Sequence, residues 1–175
     1  MLLARVEGNV VATHKHPSLE GWRLLVCQPI SHTGQAEASA RGDFVRWLGC
    51  AASRAGPEEP GALDDRRHRG RKTFMKIGTV IGRVTLSVVV PELQGARWLV
   101  VSPFTREHFQ RSGGPAPGLS PEPSLVVYDY LGGGVGQTIG YVEGREAAQP
   151  FDEPTPVDAI NVALVDQISY QPSNR

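Results

Sequence analysis

The sequence holds two cysteines, Cys27 and Cys50, among 175 residues. That number makes no disulfide framework, and it sets a reducing cytoplasm as the default compartment. No apolar run approaches the length that crosses a bilayer; the longest are of the size of SVVVP and WLVV. The N-terminus does not read as a secretory signal, because Arg5 and Glu7 interrupt its first apolar run. There is no excess of either charge, with 18 basic against 18 acidic side chains. A chain so balanced has no bulk drive toward nucleic acid or an anionic membrane. Sites of known spacing are missing too. No G-x-S-x-G, H-E-x-x-H or C-x-x-C occurs, and no Ser, His and acid set carries a spacing signature.

What is abundant is punctuation. Twenty glycines and 14 prolines, in a chain with few long periodic apolar stretches, point to strands joined by tight turns. Hydrophobic content of 40% and charged content of 21% suit a globular protein.

One stretch is written twice. Residues 1–29 (MLLARVEGNVVATHKHPSLEGWRLLVCQP) align without a gap on residues 75–103 (MKIGTVIGRVTLSVVVPELQGARWLVVSP). A constant shift of 74 positions carries Val6, Gly8 and Val10 onto Val80, Gly82 and Val84. It also carries Pro17, Leu19, Gly21, Arg23, Leu25, Val26 and Pro29 onto Pro91, Leu93, Gly95, Arg97, Leu99, Val100 and Pro103. A β-rich unit therefore begins at both places.

In the first copy, residues 2–13 alternate like a strand with one buried face, and Trp22 to Ile30 reads as a second strand. Two strands alone are marginal, so this copy, residues 1–30, is partial. Residues 31–73, rich in Ala, Gly, Pro and Arg, read as a largely disordered linker. Its basic run from Arg66 to Lys72 is short and lacks interleaved aromatics, which favours a solvated linker over a binding patch.

The second copy continues to completion. Lys76–Leu86, Ala96–Pro103, Ser124–Asp129, Gln137–Glu143 and Val162–Ile168 read as strands, with a long loop from Thr105 to Pro123. Thr155-Pro156-Val157-Asp158 has the form of a helix start, with Thr as cap and Pro at the first helical position. The fold class expected for residues 75–170 is therefore all-β: a five-stranded, OB-like closed barrel with one short helix.

Two clusters invite chemistry and fail its templates. Gly132-Gly133-Gly134-Val135-Gly136 is followed by a strand pattern and by no Lys-Ser or Lys-Thr, so it is a turn rather than a phosphate loop. His14 and His16 alternate like a metal pair, but the second copy has Val88 and Val90 at those positions, so the pair is not intrinsic to the unit. Asp129, Asp158 and Asp166 each have a structural role open to them as turn, helix-start and strand-edge residues.

The opening of the second copy, MKIGTVIGRV followed by GARWLVV, resembles the EutN/CcmL family, the pentameric vertex proteins of bacterial microcompartment shells. The resemblance extends to Asp129-Tyr-Leu-Gly132-Gly133-Gly134-Val135-Gly136-Gln137, and to Pro156-Val157-Asp158-Ala159 followed by Val162-Ala-Leu-Val-Asp166. It covers residues 1–30 and 75–170. Two departures stand out: Glu143-Gly144-Arg145-Glu146-Ala147 replaces the family's usual small-residue stretch, and the loop from Thr105 to Pro123 is longer than usual.

The resemblance implies a structural protein of a cytoplasmic shell, without catalytic, cofactor or metal residues. Its partners would be four more copies of itself and hexameric shell proteins, with neither membrane nor nucleic acid among them. It also puts Asp129, Gly132, Gly133, Gly134, Val135 and Gly136 near the subunit interface or a narrow pore. An OB-like module binding single-stranded nucleic acid is the alternative, with Tyr128, Tyr130 and Tyr141 as its only cluster of aromatics. Residues 1–73 have two readings: the remnant of a neighbouring vertex protein, or an extension whose ribbon packs on the barrel or on a shell neighbour.

Overall fold

The computed structural model describes residues 3–20, 23–30, 75–105, 120 and 122–171. The linker with its basic run, Cys50 and most of the loop from Thr105 to Pro123 fall outside them. The strands are β1 (Leu3–Val11), β2 (His14–Lys15), β3 (Leu24–Ile30), β4 (Met75–Val84), β5 (Arg97–Pro103), β6 (Leu125–Asp129), β7 (Thr138–Glu143), β8 (Ala159–Leu164) and β9 (Gln167–Tyr170).

Five of them close a barrel, as expected. The order β8-β6-β5-β4-β7 returns to β8 through the β7–β8 pairing. All contacts in it are antiparallel except β6 with β8, which meet in parallel at Tyr128 and Ile160. Closure leaves no free edge to template pairing with another chain along the paired lengths. The alternation of side chains divides the apolar residues into two clusters. One is Val80, Leu99, Val101, Val127, Ile139, Tyr141 and Ala159. The other includes Met75, Ile77, Val142, Ile160 and Val162, and takes in Val10, Ala12, Leu24 and Val26 from the N-terminal strands. Neighbouring residues Ala159 and Ile160 fall in different clusters, as a period of two requires.

The repeat in sequence is a repeat in structure. β1 pairs with β3 with Arg5 opposite Gln28, Val6 opposite Cys27 and Gly8 opposite Val26, and the register slips between Val6 and Gly8. β4 pairs with β5 with Thr79 opposite Ser102, Val80 opposite Val101 and Gly82 opposite Val100, and slips between Val80 and Gly82. Each of these pairs is the other displaced by the same shift, bulge included. Both connections contain a 3₁₀ turn, Pro17–Leu19 in one and Pro91–Leu93 in the other.

The short helical segment is not at Thr155–Asp158. Thr155 Oγ1 donates back to Glu153 O at 2.9 Å, and Val157 N–H bonds to Thr155 O at 2.8 Å, so no helical ladder starts there. Thr155, Val157 and Ala159 are buried while Pro156 and Asp158 are exposed, a strand-like period that leads into β8. As a result the strand begins at Ala159 rather than Val162, and ends at Leu164. Helical turns occur instead at Gly144–Ala148, where a loop was expected, and in the two ribbon connections.

Candidate functional site

The glycine turn after β6 is held from inside by one carboxylate. Asp129 is buried and accepts from Leu131 N at 3.1 Å, Gly133 N at 2.9 Å and Asn161 Nδ2 at 2.8 Å. Arg97 lies with Nε 3.6 Å from Asp129 Oδ2, and its Nη2 donates to Gly133 O at 2.9 Å. Gly132 has φ +92°, in the left-handed region that glycine enters freely. A β-carbon on Gly133 would stand 2.8 Å from Leu99 Cδ1, so the backbone there comes closer to the core than a side chain permits. Gly134 N donates to Gln137 Oε1 at 2.6 Å, and Gly136 N to Val80 O at 2.8 Å. Of the residues expected near an interface or pore, Asp129 therefore points inward as the organiser of the turn. Val135, 62% exposed, is carried outward.

A second arrangement answers to one of the two readings of residues 1–73, a ribbon that packs on the barrel, and its partner strand and contacts carry no signal in the sequence. The N-terminal ribbon of β1 and β3 is joined to the chain's last strand, in the order β3-β1-β9. Gly8, Asn9, Val10 and Val11 pair antiparallel with Tyr170, Ser169, Ile168 and Gln167 of β9. His14 and Lys15 pair with Leu164 and Ala163 of β8, and His16 N donates to Val162 O at 2.8 Å. At the corner between them, Thr13 N and Oγ1 both donate to Asp166 Oδ2, at 2.6 and 2.7 Å. These two bonds, from the hydroxyl first and the amide second, hold the Asp166 carboxyl below the usual carboxylate range. Glu7 is buried beneath Tyr170, whose hydroxyl donates to its Oε2 at 3.1 Å. The ribbon reaches as far as the glycine turn, where His16 meets Tyr130 edge to face at 5.5 Å.

The other candidate side chains are taken up by packing and turn geometry. Tyr141 is fully buried, so burial raises its phenol well above the ordinary range. Tyr128 is packed edge-on against Trp98 at 5.7 Å and Phe151 at 5.1 Å. Tyr130 alone keeps an exposed ring, and a single ring is no platform for successive bases. His16 Nδ1 accepts from Ser18 N at 3.1 Å as the cap of a 3₁₀ turn, and burial lowers its pKa, so it is committed to the ribbon's own geometry. Among the described residues, no three His, Cys, Asp or Glu side chains gather in a metal-binding group.

The family model for "Ethanolamine utilisation protein EutN/carboxysome" matches residues 1–45 and 75–166, together most of the chain. This chain belongs to the EutN/CcmL family. The first matched segment contains the first copy of the repeat and runs on through residues 31–45, the start of the stretch expected above to be linker; the second contains the second copy, and β9 lies just beyond it. Among solved structures, the chain is similar to CcmL of Gloeobacter violaceus at 25% identity, covering 54% of this chain and 88% of that one, with a TM-score of 0.45. It is similar to the pentameric microcompartment shell protein GrpN from Rhodospirillum rubrum at 29% identity, covering 52% and 94%, with a TM-score of 0.40. A third likeness is CcmL of Nostoc sp. PCC 7120, at 27% identity, covering 52% and 88%, with a TM-score of 0.43. None of the curated proteins matches the chain. As a EutN/CcmL member, the chain has its family's barrel once in full and its opening ribbon twice.

Proposed function

We infer that this EutN/CcmL protein is a structural subunit of a bacterial microcompartment shell, and that five copies fill one fivefold corner. The observation that carries this reading is the family match over both segments. A heterologous contact between copies closes into a ring when its rotation is right. The glycine turn from Gly132 to Gly136, with Val135 on its outside, flanks that contact. The contact of neighbouring Tyr130 with the ribbon supports this position. The role is assembly rather than catalysis. Asp129, the most buried carboxylate of the barrel, is fully engaged by its three donors and by Arg97. No cofactor or metal is called for. The partners are further copies of the chain and hexameric shell proteins of the same cytoplasmic particle.

Co-expression tests this directly. Hexameric shell proteins expressed with the full chain should yield closed polyhedral shells from which the chain copurifies. Shells that close equally well without it, and never retain it when it is present, would defeat the proposal.

A further inference from the structure

The docked ribbon has a twin elsewhere in the same molecule. β4 and β5, with the turn between them, repeat the ribbon's register, bulge and 3₁₀ turn. The edge by which β1 meets β9 is Gly8–Val11, and the shift of 74 carries it to Gly82–Thr85. β7 covers that side of β4 only from Met75 to Thr79, so within the described residues Gly82–Thr85 has no strand beside it there. The segments that follow differ in burial accordingly. Ala12 is 8% exposed, against 45% for its counterpart Leu86. Val88 and Val90, the counterparts of His14 and His16, are 87% and 47% exposed. Thr13, whose hydroxyl reaches Asp166, has Ser87 as its counterpart, which also carries a hydroxyl. A groove of about 310 Å³ lies beside this segment, lined in part by Val84, Leu86, Val89, Leu93 and Trp98.

Exposed Leu86, Val88 and Val90 thus stand on a ribbon whose twin shows what such a ribbon docks against. We propose that the N-terminal ribbon occupies, within one chain, the β8–β9 surface on which the β4–β5 ribbon of a second copy docks. The docked ribbon holds the free chain out of the ring until it is displaced. This rests on the ring reading above and adds its regulation. By the repeat, a second copy would set Gly82, Arg83, Val84 and Thr85 against Tyr170, Ser169, Ile168 and Gln167. Ser87 would face Asp166, and Val90 would face Tyr130. The incoming segment is the more apolar of the two, with Leu86, Val88 and Val90 where the resident ribbon has Ala12, His14 and His16. Burial of apolar surface therefore favours exchange once copies are concentrated, while the single-chain link favours the resident.

The two glycines separate these states. A β-carbon on Gly8 would stand 2.1 Å from Ser169 O, so a side chain there unseats the ribbon. A β-carbon on Gly82 would meet only Val100 side-chain atoms, at 3.7 Å or more, so a side chain there is accommodated by the lone chain. In the ring it would strike the neighbour's β9. Native mass spectrometry of full-length wild type, Gly8→Val, Gly82→Val and the double variant reads this out. Amide exchange over residues 8–11 and 167–170 reports release of the ribbon, and exchange over β4–β8 reports an intact barrel. Wild type and Gly82→Val should be monomers, Gly8→Val should rise to five times that mass, and the double variant should return to the monomer. If Gly8→Val costs the barrel its fold, Thr13→Pro removes both the amide and the hydroxyl bond to Asp166 from the ribbon side alone and should give the same rise.

A released ribbon without association would overturn the proposal. So would a double variant that assembles as fully as Gly8→Val, or a wild-type ring whose residues 8–11 stay protected. Release followed by assembly to a mass other than five would support the competition while sinking the fivefold-corner reading.

Discussion

Asp129 holds the glycine turn through three hydrogen bonds and lies beside the Arg97 guanidinium. Replacing it with Ala leaves Gly133 N, Leu131 N and Asn161 Nδ2 without their acceptor in a buried setting. The expected cost is on the order of 3 kcal/mol, read as a lower denaturant midpoint, because orphaned buried donors each cost about 1–3 kcal/mol. Gly133→Ala should cost about 1–3 kcal/mol in the same assay, since its β-carbon would press on fully buried Leu99. Both residues were legible as parts of a turn, from an acid followed by a glycine run. What the sequence could not tell was that the carboxylate turns inward, because that depends on Asn161 and Arg97 arriving from β8 and β5. Asp166 makes a pH-dependent contribution of a different kind. Its carboxyl is held below the ordinary range in the docked state by the two Thr13 bonds, with the charge of nearby His14 acting in the same direction. A depressed carboxyl stabilises the docked state above its free pKa, about 4, and loses that contribution as pH falls through the docked value. Amide protection of residues 8–11 should therefore weaken on acidification below about pH 4, and Asp166→Asn should lessen that pH dependence.

At the scale of elements, the strands of the second copy were readable wherever one face is buried and the other wet. The start of β8 is not legible in the sequence, because Thr-Pro-Val-Asp is as good a helix cap as it is a strand approach. Tertiary pairing with β7 decided between the two. In the sequence β9 is no more than the tail of the preceding strand, because QISY gains its meaning from β1, some 160 residues earlier in the chain. The ribbon itself looked marginal by strand count, and so it would be without neighbours. Its Val10, Ala12, Leu24 and Val26 instead join the cluster around Met75, Ile160 and Val162. With a specific protease site introduced between residues 31 and 74, a cut there should leave residues 3–20 bound to the barrel through mild washing. A fragment lost as soon as the chain is nicked would contradict the packed ribbon.

For the whole molecule, the internal repeat was the most informative feature, and it was visible as plain sequence. Matched landmarks at one constant shift predicted matched structure, and the two ribbons do share register, bulge and turn. The consequence of having one ribbon too many was not visible. It depends on which edges remain covered once the barrel closes, and closure is a property of all five strands together. In the shell, each β9 should leave its own ribbon and lie along Gly82–Thr85 of the next copy. Electron cryo-microscopy of the corners of co-expressed shells tests this account most directly. It predicts fivefold density in which Tyr170 of one subunit sits opposite Gly82 of its neighbour. Corners filled by a barrel whose β9 still pairs with its own Gly8–Val11, or corners lacking this chain altogether, would contradict it.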